Sequence, residues 1–408
     1  MKLLYIHQYF VFPDTPGATR SYDLATSFVQ AGYKVVVITS SSFLEGEFRK
    51  GWTVINRDGI EVHVLRSQYS NQLSFYRRIV IFFAFMMHTT FRVLKINANL
   101  VIATSTPITV AVPALVKRLF QGTRFIFETR DVWPEAPVAL GAIKNKLLVR
   151  IVEAFEKYVY MRAEHIVALS VDMKDSILKR TNTPAEKISV IPNIANISRF
   201  SRVDPRESIL KMALGFVPVR SVLYAGTFGV VNGVDNLVDF FREVSLRDPE
   251  IKFIFTGWGS RKATLVKLCN EAKLTGETVF FLPPVAKDRI PQLYSECSVT
   301  SSFVIPVKEL WYNSANKFFD SLAAGKPIVI NYDGWQAGVI RKNDIGFVLP
   351  HEKNKLLEAA NEFCVYLQNS ALLNTQGVKA KQLAEREYSL ELTAAKYLQV
   401  IQNSLKKK

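Results

Sequence analysis

Short apolar runs rich in Val and Ile alternate with stretches whose apolar positions recur at helical spacing. Residues 2–7, 34–39, 61–66, 100–104, 124–128, 165–170 and 188–191 read as strands. They are near-continuous apolar runs, as expected for strands covered on both faces. Helical patterns fill most of the gaps, over residues 20–30, 74–95, 109–120, 144–162 and 171–179. Strand and helix in alternation predict a parallel sheet wrapped by helices on both sides.

The rhythm pauses over residues 192–204 (PNIANISRFSRVD), which carry no apolar period and read as a linker. It restarts with predicted strands at 221–225, 251–256, 278–282, 299–302, 328–330 and 347–349. The predicted organisation is a first α/β domain over 1–192, a linker over 193–204 and a second α/β domain over 205–388. A C-terminal segment, 389–408, is expected at the domain junction. Two doubly wound domains of this kind would face each other across a cleft, with ligands bound outside the carboxyl ends of the strands.

Charge changes this picture more than overall composition does. The 408 residues are 49% hydrophobic and carry a net charge of +16. From Val62 to Phe127 there is no Asp or Glu, while Arg and Lys recur throughout. A one-signed stretch implies a polyanionic neighbour, either nucleic acid or an anionic membrane surface. Residues 79–87 (IVIFFAFMM) form an apolar run between Arg77, Arg78 and Arg92, with Phe82 and Phe83 at its centre. It is far shorter than the roughly 18–20 residues that cross a bilayer. Two readings remain: a helix lying in the membrane interface, or a buried helix with arginines snorkelling at its ends. Three cysteines without paired spacing and an opening MKLLYIHQYF without a signal-peptide layout predict a reducing, cytoplasmic setting. A nucleic-acid partner would need exposed aromatics among the basic residues, and only Tyr69, Phe75 and Tyr76 cluster so.

Candidate chemistry sits in the loops after strands. In residues 314–327 (SANKFFDSLAAGKP), Asn313 or Ser314 can cap a helix that Gly325 and Pro327 end. Lys317 falls in its first turn, where a cation is disfavoured unless an anion sits on the helix end. Asn316 lies beside it, and Asp320 follows on the same face, placed to accept hydrogen bonds from ribose hydroxyls. A capped surface helix with a local Lys–Asp pair explains the same residues. In residues 13–25, Gly17 permits close backbone approach and Arg20 opens the next helix, suited to an anion or acceptor contact or to a simple turn. In residues 127–137 (FETRDVWPEAP), Glu128, Arg130, Asp131 and Glu135 crowd a strand end, as a catalytic group or a salt-bridge cluster. Gly226, Gly229 and Gly233 offer backbone amides after another strand. Gly257 and Gly259 lack the third glycine of a dinucleotide fingerprint, which leaves Arg261 to face a base or phosphate. No Asp-x-Asp occurs, nor any zinc-type or Ser/His/Asp spacing.

Taken in order, the glycine turn, TRDVWPE, PNI, YAGTFG and SANKFFDSLAAGKP resemble the family-four (group 1) glycosyltransferases over essentially the whole chain. The likeness is to those that build O-antigen, capsule and related bacterial surface polysaccharides. It implies a GT-B fold and retaining, metal-independent transfer from a UDP-sugar to a polyprenyl-diphosphate-linked acceptor on the inner membrane face. The sugar would be an N-acetylated hexosamine or deoxyamino sugar. By position, the donor ribose falls to Asp320, the diphosphate to the helix start with Asn316 and Lys317, and the base to Gly257 and Arg261. Gly17, Gly226 and Gly229 would lie near the reacting groups. The place of the family's sugar-side histidine is taken by Arg130, followed by Asp131. Lys317, Arg130, Asp131 and Glu135 are the expected catalytic set. Arg20, Arg77, Arg78, Phe82, Phe83 and Arg92 are expected on the membrane and acceptor side. Tyr312 stands where the family carries its first glutamate, and Val230, Val231 and Asn232 replace its usual Arg and Lys. A UDP-sugar epimerase of the same architecture and a non-catalytic basic membrane- or nucleic-acid-binding protein are the alternatives.

Overall fold

The computed structural model describes the chain apart from residues 68–72, 74, 132, 142, 407 and 408, and apart from the side chains of Phe75, Tyr76 and Arg78. The chain divides into two compact units. The first comprises Met1–Pro192, Tyr312–Ser314 and Leu390–Lys408; the second comprises Asn193–Trp311 and Ala315–Ser389.

The first unit is built on an eight-stranded sheet of β1 (Lys2–Ile6), β2 (Lys34–Ser40), β3 (Trp52–Arg57), β4 (Ile60–Leu65), β5 (Leu100–Thr104), β6 (Arg124–Thr129), β7 (His165–Ala168) and β8 (Ile188–Val190). Their order is β3-β4-β2-β1-β5-β6-β7-β8, parallel throughout except for the β3–β4 pair. The strand β3 was not expected. Its half-exposed residues give no continuous apolar run, and it joins β4 through a two-residue Asp58–Gly59 turn with positive φ at both positions, the backbone that Asp-Gly favours. Leu3, Leu4, Tyr5 and Ile6 of β1 are fully buried, as a strand covered on both faces requires.

Helices Phe75–Leu94, Ala111–Gln121 and Lys146–Arg162 follow β4, β5 and β6 and pack side by side in one layer. Helix Arg20–Gln30 packs instead with the last helix, Leu390–Lys406, where the Phe28 and Tyr397 rings lie 5.5 Å apart. That last helix also touches β5 and β6, and its Ser404 carbonyl accepts a 2.9 Å hydrogen bond from Arg124 Nη1.

The second unit holds β9 (Arg220–Ala225), β10 (Ile251–Thr256), β11 (Val279–Leu282), β12 (Val299–Ser302), β13 (Ile328–Ile330) and β14 (Gly346–Val348). They form one all-parallel sheet in the order β11-β10-β9-β12-β13-β14. Its core is aromatic, centred on Tyr224, Phe228, Phe241, Phe253 and Phe255. A short helix, Ile197–Phe200, lies within the segment read as linker. Strand order reverses between β1 and β5 in the first unit and between β9 and β12 in the second, and these reversals are where open α/β sheets bind ligands.

Candidate functional site

In the second unit, the loops leaving β9 and β10 run against each other. Gly226 N–H donates to the Thr256 carbonyl at 2.9 Å, Phe228 N–H to that of Trp258 at 2.8 Å, and Arg261 N–H to that of Phe228 at 2.9 Å. A Cβ at Gly257 would lie 1.9 Å from the Gly226 oxygen, and one at Gly259 2.3 Å from that of Phe228. These glycines serve the loop–loop contact. The amide of Gly226 is therefore spent inside the fold, as is that of Gly233 on the Gly229 carbonyl, which corrects the expectation of free amides at both positions. Gly229 sits in the same turn, close to Asn232 Oδ1.

Across this turn lies the helix Asn316–Ala323. Its N-cap position is held by Ala315, which carries no capping side chain, where Asn313 or Ser314 was expected. Lys317 projects over the glycine turn. Its Nζ is 4.8 Å from the centre of the Tyr224 ring, and a Cβ at Gly226 would fall 2.4 Å from its Cε. The ammonium makes no side-chain hydrogen bond among the described residues. Burial pulls its pKa down to about 8, against the raising effect of Asp320 and together with the lowering effect of Lys287.

Asp320, one turn on, accepts a 2.5 Å bond from Lys287 Nζ, which also lies 5.7 Å from the Phe200 ring. Lys287 is a site residue that sequence reasoning missed, since a single lysine in the loop after β11 carries no local signal. Two lysines around one aspartate leave an excess positive charge at a helix start, an arrangement suited to an anion with a hydroxyl-bearing neighbour. Arg261 does not join it: Asp235 takes its Nε, at 3.0 Å, and its Nη2. The expectation that Arg261 is open to a base or phosphate is corrected.

In the first unit, the acidic and basic residues after β6 separate into three groups. Glu128 and Arg20 form a buried pair at 3.0 Å. Thr104 Oγ1 donates to Glu128 at 2.6 Å, and Arg20 also donates to the carbonyls of Ile191 and Pro192. Burial would raise the Glu128 carboxyl, but Arg20, Arg130 and Thr104 together hold it below its ordinary value. Arg20 is only 2% exposed. Its expected place on the membrane and acceptor side is overturned, because its guanidinium neutralises Glu128 and closes the end of β8. Glu135 is likewise structural. It pairs with Arg180 at 2.9 Å and accepts from Ser176 at 2.8 Å, which removes it from the expected catalytic set.

The third group stands at the β1–β5 reversal. Arg130 N–H donates to Ser105 Oγ at 2.9 Å, and its Nη1 approaches His7 Nε2 at 3.3 Å. Asp131 accepts from Thr106 Oγ1 and from Asn313 Nδ2. His7 was not singled out from sequence. Burial pushes its pKa well down, aided by Arg130, so the imidazole is neutral with Nε2 accepting and the proton on Nδ1, which has no hydrogen-bond partner among the described residues. Gly17 packs on Val11, where a Cβ would lie 3.0 Å from Cγ2.

The expected membrane residues also divide. Arg77 and Phe83 are exposed, Phe82 is half-buried, and the Arg78 side chain lies outside the described residues. Arg92 is corrected: its Nε donates to His63 Nδ1 at 3.0 Å and its guanidinium lies 5.5 Å from the Trp52 ring, both inside the fold. Among the described residues, no helix is long and apolar enough to cross a membrane.

Two doubly wound parallel sheets, with polar groups gathered at each reversal of strand order, define a two-domain α/β protein of the GT-B class. Residues 17–194 match the glycosyl transferase 4-like domain and residues 219–365 match the glycosyl transferases group 1 domain. The chain belongs to the group 1 glycosyltransferases. It is similar to TuaH of Bacillus subtilis (strain 168), a glycosyltransferase named for teichuronic acid biosynthesis, at 23% identity over 53% of this chain and 52% of that protein. The chain thus spans about half the length of the curated relatives it matches. Among solved structures, sucrose-phosphate synthase of Thermosynechococcus elongatus superposes with a TM-score of 0.75 at 14% identity, covering 98% of each chain. HepE of Anabaena in complex with UDP-glucose superposes at 0.72 and 18% identity, covering 99% of this chain and 100% of that one. At these identities the structures speak for the fold.

Proposed function

We propose that this protein transfers a sugar from a UDP-sugar to a polyprenyl-diphosphate-linked acceptor during assembly of a surface polysaccharide. In this reading the sugar is an N-acetylated hexosamine or deoxyamino sugar. Transfer retains configuration, needs no metal, and takes place with the protein held peripherally on the inner face of the membrane. The observation that carries the proposal is Lys317, a half-buried ammonium with no side-chain hydrogen bond among the described residues, set over Gly226 in the first turn of a helix whose N-cap is Ala315. Charge accumulates on the departing diphosphate during transfer, and a fixed cation and helix start stabilise it without reorganising. Asp320 would hold the ribose once its pairing with Lys287 admits a second partner. Arg130, Asp131 and His7 would face the sugar and acceptor. The complex of HepE with UDP-glucose supports UDP as the carrier.

Calorimetric titration with UDP, GDP and ADP, beside Asp320→Ala, tests the reading. UDP alone should bind well, and the variant should lose it; no nucleotide binding would remove the donor site.

A further inference from the structure

The layer of helices Phe75–Leu94, Ala111–Gln121 and Lys146–Arg162 covers one side of the first unit's sheet, and its outer surface is unlike an ordinary solvated one. On helix Lys146–Arg162, the residues Leu147, Ile151, Ala154, Tyr158 and Met161 recur at i, i+4, i+7, i+11 and i+14, and all are exposed. Ile151 is 55% and Met161 62% exposed. The opposite side of the same helix buries Glu156, Val159 and Tyr160. The helix is thus apolar along the line that faces outward, over roughly 20 Å of its length at 1.5 Å per residue.

Helix Phe75–Leu94 repeats the pattern, with Val80, Phe83, Met87 and Phe91 exposed at i, i+3, i+7 and i+11. Between the two, helix Ala111–Gln121 exposes Leu119 and Phe120, by 78% and 72%. Its Lys117 donates to the carbonyls of Val93 and Ile96, which fixes it to the end of helix Phe75–Leu94. Isolated exposed apolar residues need no explanation, but stripes on adjacent helices of one layer do.

Charge says what covers them. Lys146, Arg150, Lys157 and Arg162 are exposed beside the stripe on the third helix. The first two helices carry no acid at all. Of the acids on the third, Glu156 is buried against Arg180 and Glu153 is half-buried. A second copy of the chain docked through this layer would set two basic surfaces together without a balancing acid. An apolar stripe rimmed by Lys and Arg fits a bilayer with anionic headgroups, the stripe in the acyl boundary and the cations among the phosphates.

We infer that the three-helix layer lies flat on an anionic membrane, with helix Lys146–Arg162 as a principal contact. This extends the membrane contact beyond the Arg77–Met87 region to a helix that sequence reading treated as an ordinary domain helix. It rests on the proposed lipid-linked acceptor for its purpose.

The test is co-sedimentation of the full chain with phosphatidylcholine vesicles, with and without phosphatidylglycerol, for wild type, the double variant Ile151→Glu/Met161→Glu, and Val378→Glu as an exposed control in the second unit. Wild type and the control should bind the anionic vesicles, less as salt rises, and the double variant should bind about tenfold more weakly or worse. UDP calorimetry and thermal melting of the same variants show that the fold and donor site are intact. Absence of wild-type binding overturns the inference, as does undiminished binding by the double variant. So does a wild-type dimer that the double variant breaks, which would assign the layer to a second copy. Loss of UDP binding with vesicle binding retained would instead count against the proposed function alone.

Discussion

Lys317 and Gly226 are packed so closely that the lysine stem occupies the space a Cβ would need. The relationship joins the helix after β12 to the turn after β9 across the point where strand order reverses. Replacing Lys317 by Ala removes the ammonium and leaves the turn unchanged. Turnover should fall by about 10²-fold or more, as when one preorganised anion-stabilising donor is lost. Steady-state kinetics with the accepted UDP-sugar measures it, and a loss below threefold would exclude Lys317 from the mechanism.

A Gly226→Ala substitution should reach the same lysine from the other side. Its new Cβ would lie 2.4 Å from Lys317 Cε, so the side chain must move. A misplacement of about 1 Å in a positioned group can cost on the order of 10²-fold. Turnover should therefore drop while nucleotide affinity changes less, and the double variant with Lys317→Ala should be little worse than either single one.

The pH response follows from burial of the same group. Lys317 is held down to about 8, whereas the unperturbed side chain titrates at 10.5. Between those values the unfolded chain keeps a proton that the folded one has released. This group's contribution to stability therefore rises with pH across that window and is least favourable below it. Binding runs the opposite way: UDP affinity should weaken as pH climbs through 8 and the ammonium discharges. Calorimetry from pH 7 to about 9.5 checks this, and Lys317→Met should flatten that part of the profile.

Arg20 and Glu128 make a separate prediction about folding. Arg20→Leu strands a buried carboxylate whose remaining help, the Thr104 hydrogen bond and the charge of Arg130, does not replace the lost ion pair, at a cost of about 3–5 kcal/mol. Chemical denaturation measures it. Combining Arg20→Leu with Glu128→Gln should recover much of the loss, because no charge is then left unpaired.

Transfer without a metal predicts that exhaustive chelation with EDTA leaves the rate unchanged within about twofold, against the far larger loss expected where a metal carries the diphosphate's charge. A rate that collapses and returns on adding magnesium or manganese would refute that part of the proposal.

Sequence patterning revealed the strands covered on both faces, because burial forces an apolar run that needs no knowledge of partners. It missed β3, whose residues Trp52–Arg57 alternate in exposure at the edge of the sheet. Among site residues, Lys317 and Asp320 were legible because a cation in a helix's first turn is locally anomalous. Arg20, Glu135 and Arg261 were misread for one reason. A charge that faces a ligand and a charge that neutralises a residue far along the chain look alike in one dimension, and Glu128 lies 108 residues from Arg20. Lys287 and His7 had no local pattern to betray them. The outward stripe of Leu147, Ile151, Tyr158 and Met161 was present in the spacing, but a helix with apolar residues on two sides reads simply as hydrophobic.

The placement of Leu390–Lys406 against Phe28 and Arg124 has a consequence for biosynthesis. The first unit to leave the ribosome cannot finish its core when residue 192 emerges, because one wall of it is encoded nearly two hundred residues later. It must wait, partly open, while the intervening unit is made, and a nascent chain halted before residue 390 would display Phe28 to chaperones and proteases alike.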